Sequence, residues 1–272
     1  MERASYVSVA RRKLHLPTGE ELKYEVVGTN PTVLFITGIH GDESRTIWPV
    51  RKNLDRAMAV SQDLLGNMVR VFHANPEAIL AGTRGNAVRG EMDDLERAFP
   101  KSDEGGIFHP RARLLTELLK VFPDLEYVFS FHEDTYYKAP KDYKPRFYMY
   151  DIPPTDDQED QPMVNLLSRQ LVKRIKEVFG ADIVHTGIDA EDLQFYVVDG
   201  YVMTSTGDKK NYVGDFESWA VEMGRLGLSK VKRGFIFEIP TDLPIEQKDK
   251  MVAAIINEFI IPFLRDKQAA RQ

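Results

Sequence analysis

A histidine and a glutamate three positions apart follow a strongly apolar run near the start of the chain. The run 33–36 predicts a buried strand, and His40 and Glu43 come just after it. In α/β proteins, ligands bind beyond the carboxyl ends of the strands. Imidazole and carboxylate groups bind zinc, and a catalytic zinc site takes three protein ligands and leaves a position for water. The pair therefore predicts two of three zinc ligands, while a solvated or hydrogen-bonded loop pair is the alternative.

A third ligand has to come from another strand end. His132 follows the apolar run 127–131, so it repeats the pattern of a strand that ends on a histidine. His73, which follows 71–72, has a similar but weaker setting and is interpreted as structural. His132 is therefore the candidate for the third ligand.

A single carboxylate interrupts the apolar run 234–240 at Glu238. Burial of an unpaired carboxylate costs several kcal/mol or forces the group to become neutral. The functional interpretation places Glu238 at the mouth of a cleft, as a base beside a metal-activated water. The alternative is an edge-strand residue that faces solvent.

The segment 75–100 concentrates charged residues around several glycines. It contains Arg84, Arg89 and Arg97. The planar guanidinium group suits carboxylates and developing oxyanions. Composition alone leaves two interpretations open, a substrate-binding region and a charged surface loop.

The elements that must position these residues alternate along the chain. Apolar patterns predict strands near 23–27, 33–37, 68–73, 127–131, 146–151, 194–198 and 233–239. They predict helices over 44–60, 111–121, 161–179, 215–225 and 244–266. This alternation predicts the α/β class, with a mixed, largely parallel twisted sheet and helices on both faces. No linker divides the sequence, so we expect one catalytic domain over 1–272.

Composition restricts the functional class. The chain has 43% hydrophobic and 29% charged residues, as in soluble globular proteins. A net charge of −6 and a pI near 5.6 argue against nucleic acid as a partner. We expect no membrane span, since no apolar stretch reaches about 18 residues. The absence of cysteine excludes thiolate ligands and favours the cytoplasm, and no feature indicates the oligomeric state.

Together these motifs resemble the zinc carboxypeptidase family, which includes murein peptide amidases and the aspartoacylase and succinylglutamate desuccinylase group. The matching pieces occur in the family's order over most of the chain. They are His40-x-x-Glu43, Asn75-Pro76, Arg84-Gly85-Asn86, Asp94-Leu95-Glu96-Arg97 with Phe99-Pro100, His132 and Phe237-Glu238. The resemblance implies a phosphorylase/hydrolase-like fold, one zinc ion per chain and hydrolysis of an amide bond.

The resemblance also implies a role for each matching residue. His40, Glu43 and His132 would bind zinc, and Glu238 would act as general base and then general acid. Asp94 would accept a hydrogen bond from the far nitrogen of His40 and so fix its tautomer. Arg84 would stabilise the oxyanion, with Arg89 as the competing candidate.

Two departures concern the substrate side. The family's asparagine before the carboxylate-binding arginine is Glu96 here, and this acid places recognition of a free C-terminus by Arg97 in question. The family's covering tyrosine has no counterpart in 215–222. Trp219 is the candidate substrate-covering residue in its place, although a tryptophan in such a helix is often part of the core.

Several functions therefore stay open. The leading expectation is a metallocarboxypeptidase or peptide amidase, and the alternative is an N-acyl amino acid deacylase, so the substrate would be a small peptide or an N-acyl amino acid. A non-catalytic zinc- or peptide-binding module is a third possibility. A second metal ion bound by Asp42, Glu133 or Asp134 is less favoured than a single zinc.

Overall fold

The structure, a computed structural model, describes residues 8–85, 94–99, 109–137, 139–154, 160–189, 195–203 and 215–272. Its strands are β1 Val9–His15, β2 Glu21–Val27, β3 Val33–Thr37, β4 Met68–Val71, β5 Tyr127–Asp134, β6 Tyr148–Ile152, β7 Gly187–Ile188, β8 Tyr196–Val197, β9 Tyr201–Met203 and β10 Arg233–Pro240. Its α-helices are α1 Ile47–Val60, α2 Gln62–Leu65, α3 Pro76–Ala81, α4 Pro110–Val121, α5 Gln161–Phe179, α6 Phe216–Arg225, α7 Ile245–Ile255 and α8 Ile261–Ala269.

One sheet of eight strands organises the molecule, in the order β1-β2-β4-β3-β5-β10-β6-β9. The four central strands, β4, β3, β5 and β10, run parallel to one another. Antiparallel pairing joins β1 to β2, β2 to β4, and β6 to β10. The central carboxyl ends therefore meet at one edge of the sheet, where ligands bind in such folds.

Helices cover both faces of the sheet and form two apolar layers. Helices α1, α5, α7 and α8 pack on one face over a row of phenylalanines that includes Phe35, Phe129 and Phe235. Helices α4 and α6 pack on the other face, against Leu34, Val128 and neighbouring side chains. This arrangement confirms the predicted α/β class, with a mixed sheet covered on both sides. The single-domain assignment stays a prediction.

The predicted elements agree with the structure in the centre of the sheet and differ at its margins. Strand β1 was not predicted, because four charged or polar residues among its seven mask the apolar pattern. Predicted helix 244–266 is interrupted by a π-helical segment at Ile256–Ile260. Predicted helix 44–60 starts with a 3-10 turn at Ser44–Thr46, and α1 begins at Ile47. Asp42, a candidate for a second metal ion, precedes both helical segments. None of the described helices is both long and apolar enough to cross a bilayer.

A buried ion pair fastens helix α7 to the end of strand β5. The Lys248 ammonium donates to the Glu133 carboxylate, and both side chains are fully buried. Glu133 also accepts hydrogen bonds from the backbone nitrogen of Thr46 at 2.9 Å and from the Thr241 hydroxyl at 3.0 Å. The pair therefore holds the segment that follows Glu43 against the sheet.

We expect Lys248→Met to lower the free energy of unfolding by about 3–5 kcal/mol, because it leaves the buried Glu133 carboxylate without its cation. Urea denaturation, monitored by circular dichroism, measures this loss in the free energy of unfolding. The double variant Lys248→Met/Glu133→Gln should recover part of the loss, since no unpaired charge stays buried. Equal losses in the two variants would show that the charge of Glu133 is not the cause.

Candidate metal centre

Strand register places three polar side chains in one row at the edge of the sheet. His132 of β5 pairs with Glu238 of β10, which pairs in turn with Tyr148 of β6. Residues paired directly across neighbouring strands point to the same face of a sheet. The row therefore brings the predicted third ligand beside the predicted base.

The first ligand segment needs two glycines to reach the same place. Gly38 has a φ of 70°, in the left-handed region that favours glycine. A Cβ atom at Gly41 would lie 1.9 Å from the carbonyl oxygen of Ala78 in α3. The chain between His40 and Glu43 therefore runs against α3 at a distance that a side chain would prevent.

The three predicted ligands converge on one point. The Glu43 carboxylate lies 2.6 Å from Nδ1 of His40 through Oε1 and 3.0 Å from Nδ1 of His132 through Oε2. The two imidazole rings are 5.3 Å apart between centroids. All three side chains are buried. Two nitrogen donors and one oxygen donor thus share a small buried volume.

The far nitrogen of each imidazole has its own partner. Nε2 of His40 lies 3.0 Å from Oδ1 of Asp94, as predicted for this pair, and Nε2 of His132 lies 2.9 Å from the Ser130 hydroxyl. A histidine ligand is oriented by the hydrogen bond of its other nitrogen. The Asp94 carboxylate can only accept, so it favours the His40 tautomer that leaves Nδ1 free to bind a metal ion. The Ser130 hydroxyl can accept from Nε2 of His132 and so allows the same tautomer there.

This donor set fits zinc. Two imidazoles and one carboxylate form one of the known ligand sets of catalytic zinc, which keeps a further position for water or substrate. The ligand atoms of His40, Glu43 and His132 all lie within 4.8 Å of one another. A metal ion between them would replace the direct contacts of the two rings with Glu43. His40, Asp94 and Glu96 form a second group within the same limit.

Arg84 lies at the centre of the surrounding acids. Its guanidinium is 3.2 Å from Glu43, 3.2 Å from Asp94 and 3.5 Å from Glu96. It also lies over the ring of Tyr137, 4.7 Å from the centroid. The group therefore neutralises the acids that hold the ligands, and its oxyanion role stays a prediction.

Glu96 points toward the metal ligands. Its two carboxylate oxygens lie 3.2 Å from Nε2 of His40 and 3.5 Å from Nε2 of His132. Neighbouring Arg97 is exposed. The acid that departs from the family pattern is therefore part of the centre, whereas the arginine predicted to bind a carboxylate lies at the surface.

The acids around the rings control their protonation. Burial lowers the pKa of both imidazoles, and Arg84 lowers that of His40 further. The carboxylates around the rings, chiefly Glu43 and Glu96, outweigh these effects and raise the pKa of His40 and of His132 to about 10. Burial raises the pKa of Glu43, but the two histidines hold it well below its ordinary value. The metal-free centre is therefore an ionic cluster with both imidazoles protonated at neutral pH.

The predicted base has a phenol beside it. Glu238 is partly exposed, unlike the buried residues on either side of it. Burial, and then the Glu238 carboxylate, raise the pKa of Tyr148 well above its ordinary value. A protonated donor is thus placed next to Glu238.

The other site predictions have different outcomes. Trp219 is buried beside Phe99 and Phe216 in the core, and its role as a substrate-covering residue stays a prediction. Arg89 lies outside the described residues.

Of the acids considered for a second metal ion, Glu133 pairs with Lys248, and Asp134 accepts a hydrogen bond from Tyr143 at 2.7 Å. Those two acids are therefore engaged away from the His40 group.

Sequence reasoning missed two groups near the centre. Tyr148 stood in a predicted strand, but only the pairing of β6 with β10 shows that it neighbours Glu238. Glu217 is fully buried, and its carboxylate oxygens have no hydrogen-bond partner among the described residues. Its place in an acid-containing helix gave no signal of burial.

One family model matches the part of the chain that carries most of the candidate metal centre. The family model of the succinylglutamate desuccinylase/aspartoacylase catalytic domain matches residues 29–137. That segment contains His40, Glu43, Arg84, Asp94 and His132, and it ends before Glu238. A sequence comparison with curated proteins gave no match.

Solved structures show the same fold. A provisionally assigned metallopeptidase from Shewanella denitrificans OS217 superposes with a TM-score of 0.64 at 19% identity, over 93% of this chain and 83% of that one. Carboxypeptidase A from Helicoverpa armigera superposes with a TM-score of 0.61 at 13% identity, over 98% of this chain and 70% of that one. A succinylglutamate desuccinylase from Silicibacter sp. TM1040 superposes with a TM-score of 0.51 at 17% identity, over 95% of this chain and 68% of that one.

The comparisons confirm the resemblance to the zinc carboxypeptidase-like family and the fold that it implies. The matched family model further indicates an enzyme of the hydrolase class.

We expect zinc affinity to rise with pH, because both imidazoles must lose a proton when they bind the metal ion. Their pKa is near 6.5 in the unfolded chain and about 10 in the folded metal-free protein. The raised pKa therefore stabilises the metal-free protein fully below pH 6.5, and this contribution is lost as the pH rises through about 10. Two released protons predict a gain in affinity of about 100-fold per pH unit near neutrality.

Chelator competition at several pH values measures this slope, and calorimetry in buffers of different ionisation enthalpy counts the protons released. His73→Asn is the control and should keep the slope, since His73 is not a ligand. An affinity that does not change between pH 6.5 and 8.5 would contradict the protonated state of the imidazoles.

Proposed function

We propose that this protein is a zinc-dependent hydrolase that cleaves an amide bond. His40, Glu43 and His132 would hold the zinc ion, and Glu238 would act as the base. The observation that carries the proposal is the convergence of both Nδ1 atoms on the Glu43 carboxylate, with each far nitrogen already paired. The row formed by His132 and Glu238 supports the role of the base.

Each group has a defined task in this proposal. Bound zinc would polarise the substrate carbonyl and lower the pKa of water from 15.7 to about 7. Glu238 accepts the proton of the attacking water and returns it to the departing amine. The Tyr148 hydroxyl, on the next strand, can donate a hydrogen bond to substrate beside Glu238. Arg84 balances the acids and stabilises charge on the carbonyl oxygen.

The charges around the centre disfavour a substrate with a free carboxylate next to the cleaved bond. Burial, and then the charge of Glu96, raise the pKa of the Asp215 carboxyl to about 6. Burial, and then the charge of Asp215, raise the pKa of the Glu217 carboxyl to about 8. A second anion in this region would meet the same repulsion. We therefore favour a peptide amidase that accepts a neutral or amine-bearing group over a carboxypeptidase that anchors a C-terminus through Arg97.

A second candidate is an N-acyl amino acid deacylase, which the family model favours because its description covers such enzymes. A panel of peptides with free or amidated C-termini, murein-type peptides and N-acyl amino acids would separate the candidates by kcat/KM. We also propose that the substrate is a small peptide or an N-acyl amino acid and that the protein acts in the cytoplasm. Neither nucleic acid nor a membrane is proposed as a partner.

Glu238→Gln should retain zinc and lower kcat by about 100- to 10,000-fold, because the amide cannot accept the proton of water. Metal analysis and steady-state kinetics on the best substrate of the panel test this expectation. Glu258→Gln, which removes an exposed acid from the π-helical segment, is the matched control and should keep full activity. A folded, zinc-loaded Glu238→Gln variant with normal kcat would rule out the assigned base.

Glu96→Asn should shift the preference toward substrates with a free C-terminal carboxylate. Removing one negative charge from the centre is expected to raise their kcat/KM, relative to the amidated twins, by about tenfold or more. The isosteric Glu96→Gln separates charge from size and should behave in the same way. An unchanged ratio in both variants would mean that the Glu96 charge does not act on the substrate.

A further inference from the structure

A cavity of about 360 Å³ lies at the outer part of the sheet, formed by β1, β2, β4 and α1. Among the described residues, its lining contains one acid, Glu25, and six cationic side chains, in a chain whose net charge is −6. The cations are Arg11, Arg12, Lys13, Lys23, Arg51 and Arg70. Neither the proposed hydrolysis nor the metal centre uses this cavity, which we call the basic cavity.

Strand register places two of these cations directly opposite each other. Lys13 of β1 pairs with Lys23 of β2 in the antiparallel ladder. Both ammonium groups share one partner, Glu21, at 3.0 and 3.4 Å. Like charges that face each other across a ladder are destabilising. One carboxylate for two ammonium groups leaves an excess of positive charge.

The guanidinium groups show the same imbalance. Arg11, Arg51 and Arg70 approach the single Glu25 carboxylate at 3.3, 2.6 and 2.6 Å. Arg70 also pairs with Asp55, yet its Nε atom has no hydrogen-bond partner among the described residues. The Arg70 side chain is only 2% exposed. Desolvation of such a cation is costly unless its donors are paired, and Arg70 is one of the residues that line the cavity.

His73 lines the same cavity and reports its electrostatic field. Burial lowers the pKa of His73, and Arg51 and then Lys23 lower it further. No carboxylate opposes them among these causes. The field at His73 is therefore positive despite Glu25, which agrees with the excess of cations over acids.

We propose that the basic cavity binds an anion that carries a phosphate group. Guanidinium forks match phosphate geometry, and lysines contribute point charges. A dianion would balance the excess positive charge of the lysines around Glu21 and of the arginines around Glu25. The volume lies within the range of about 300–1,000 Å³ that is typical of small-molecule sites, so the cavity has room for a phosphate ester as well as for free phosphate. This ligand would be bound independently of the hydrolytic reaction.

Calorimetric titration of the zinc-loaded protein tests the proposal, with inorganic phosphate, glycerol 2-phosphate and acetate at constant ionic strength. The test variant is Arg11→Gln/Lys23→Gln, since both side chains are at least 70% exposed and are not needed for packing. The matched control is Lys120→Gln/Lys230→Gln, which removes two exposed cations outside the cavity. Phosphate binding should weaken at least tenfold in the test variant and stay within twofold in the control.

The imidazole of His73 provides a second, site-specific measurement. Phosphate should raise the His73 pKa in NMR titrations of wild-type protein, and acetate at the same ionic strength should not. Tighter binding of the ester than of free phosphate would identify an ester as the ligand class, and the reverse order would identify free phosphate. Phosphate bound only at the metal centre would persist in the test variant and leave His73 unchanged, and this result would overturn the proposal. An unfolded test variant would still leave the His73 measurement decisive.

Discussion

The contact of one buried carboxylate with two buried imidazoles is the interaction around which this edge of the sheet is arranged. Glu43 touches the Nδ1 atoms of His40, in the loop after β3, and of His132, in β5. Such a cluster is stable in a low-dielectric interior only when every member has partners. The structure supplies them through Asp94 and Arg84 on one side and the Ser130 hydroxyl on the other. Gly41 allows the close backbone approach that brings the ligands together.

The parallel centre of the sheet makes this cluster possible. Because β3, β5 and β10 run in one direction, their carboxyl ends deliver the first ligand segment, His132 and Glu238 to the same edge. The buried Lys248 and Glu133 pair then fixes the start of the following helix from the opposite face. The candidate metal ligands, the proposed base and the supporting ion pair thus depend on one topological feature.

Much of this could be predicted from the sequence, because continuous apolar runs mark central strands and a polar residue at the end of such a run stands out. His40, His132 and Glu238 were selected as candidate site residues in this way. Register and side-chain direction could not be predicted, since they depend on which strands become neighbours. Tyr148 therefore escaped notice, and the direction of Glu96 toward the ligands stayed open. Strand β1 was missed because its outward face is charged, a pattern that single-sequence periodicity cannot distinguish from a loop.

Two acids near the proposed ligands differ in what they concern, since one bears on the metal centre and the other on the substrate. Asp94 lies against the proposed ligand His40, whereas Glu96 stands where the family that the sequence resembles has an asparagine. In the proposed function, the charge of Glu96 affects which substrate end is tolerated. The central claim concerns the ligands themselves, and zinc X-ray absorption spectroscopy of the loaded protein tests it most directly. We predict one zinc per chain with two imidazole nitrogens at about 2.0–2.1 Å and carboxylate or water oxygens at about 2.0–2.2 Å. A spectrum with one imidazole or none, or two zinc ions per chain, would contradict the His40, Glu43 and His132 centre.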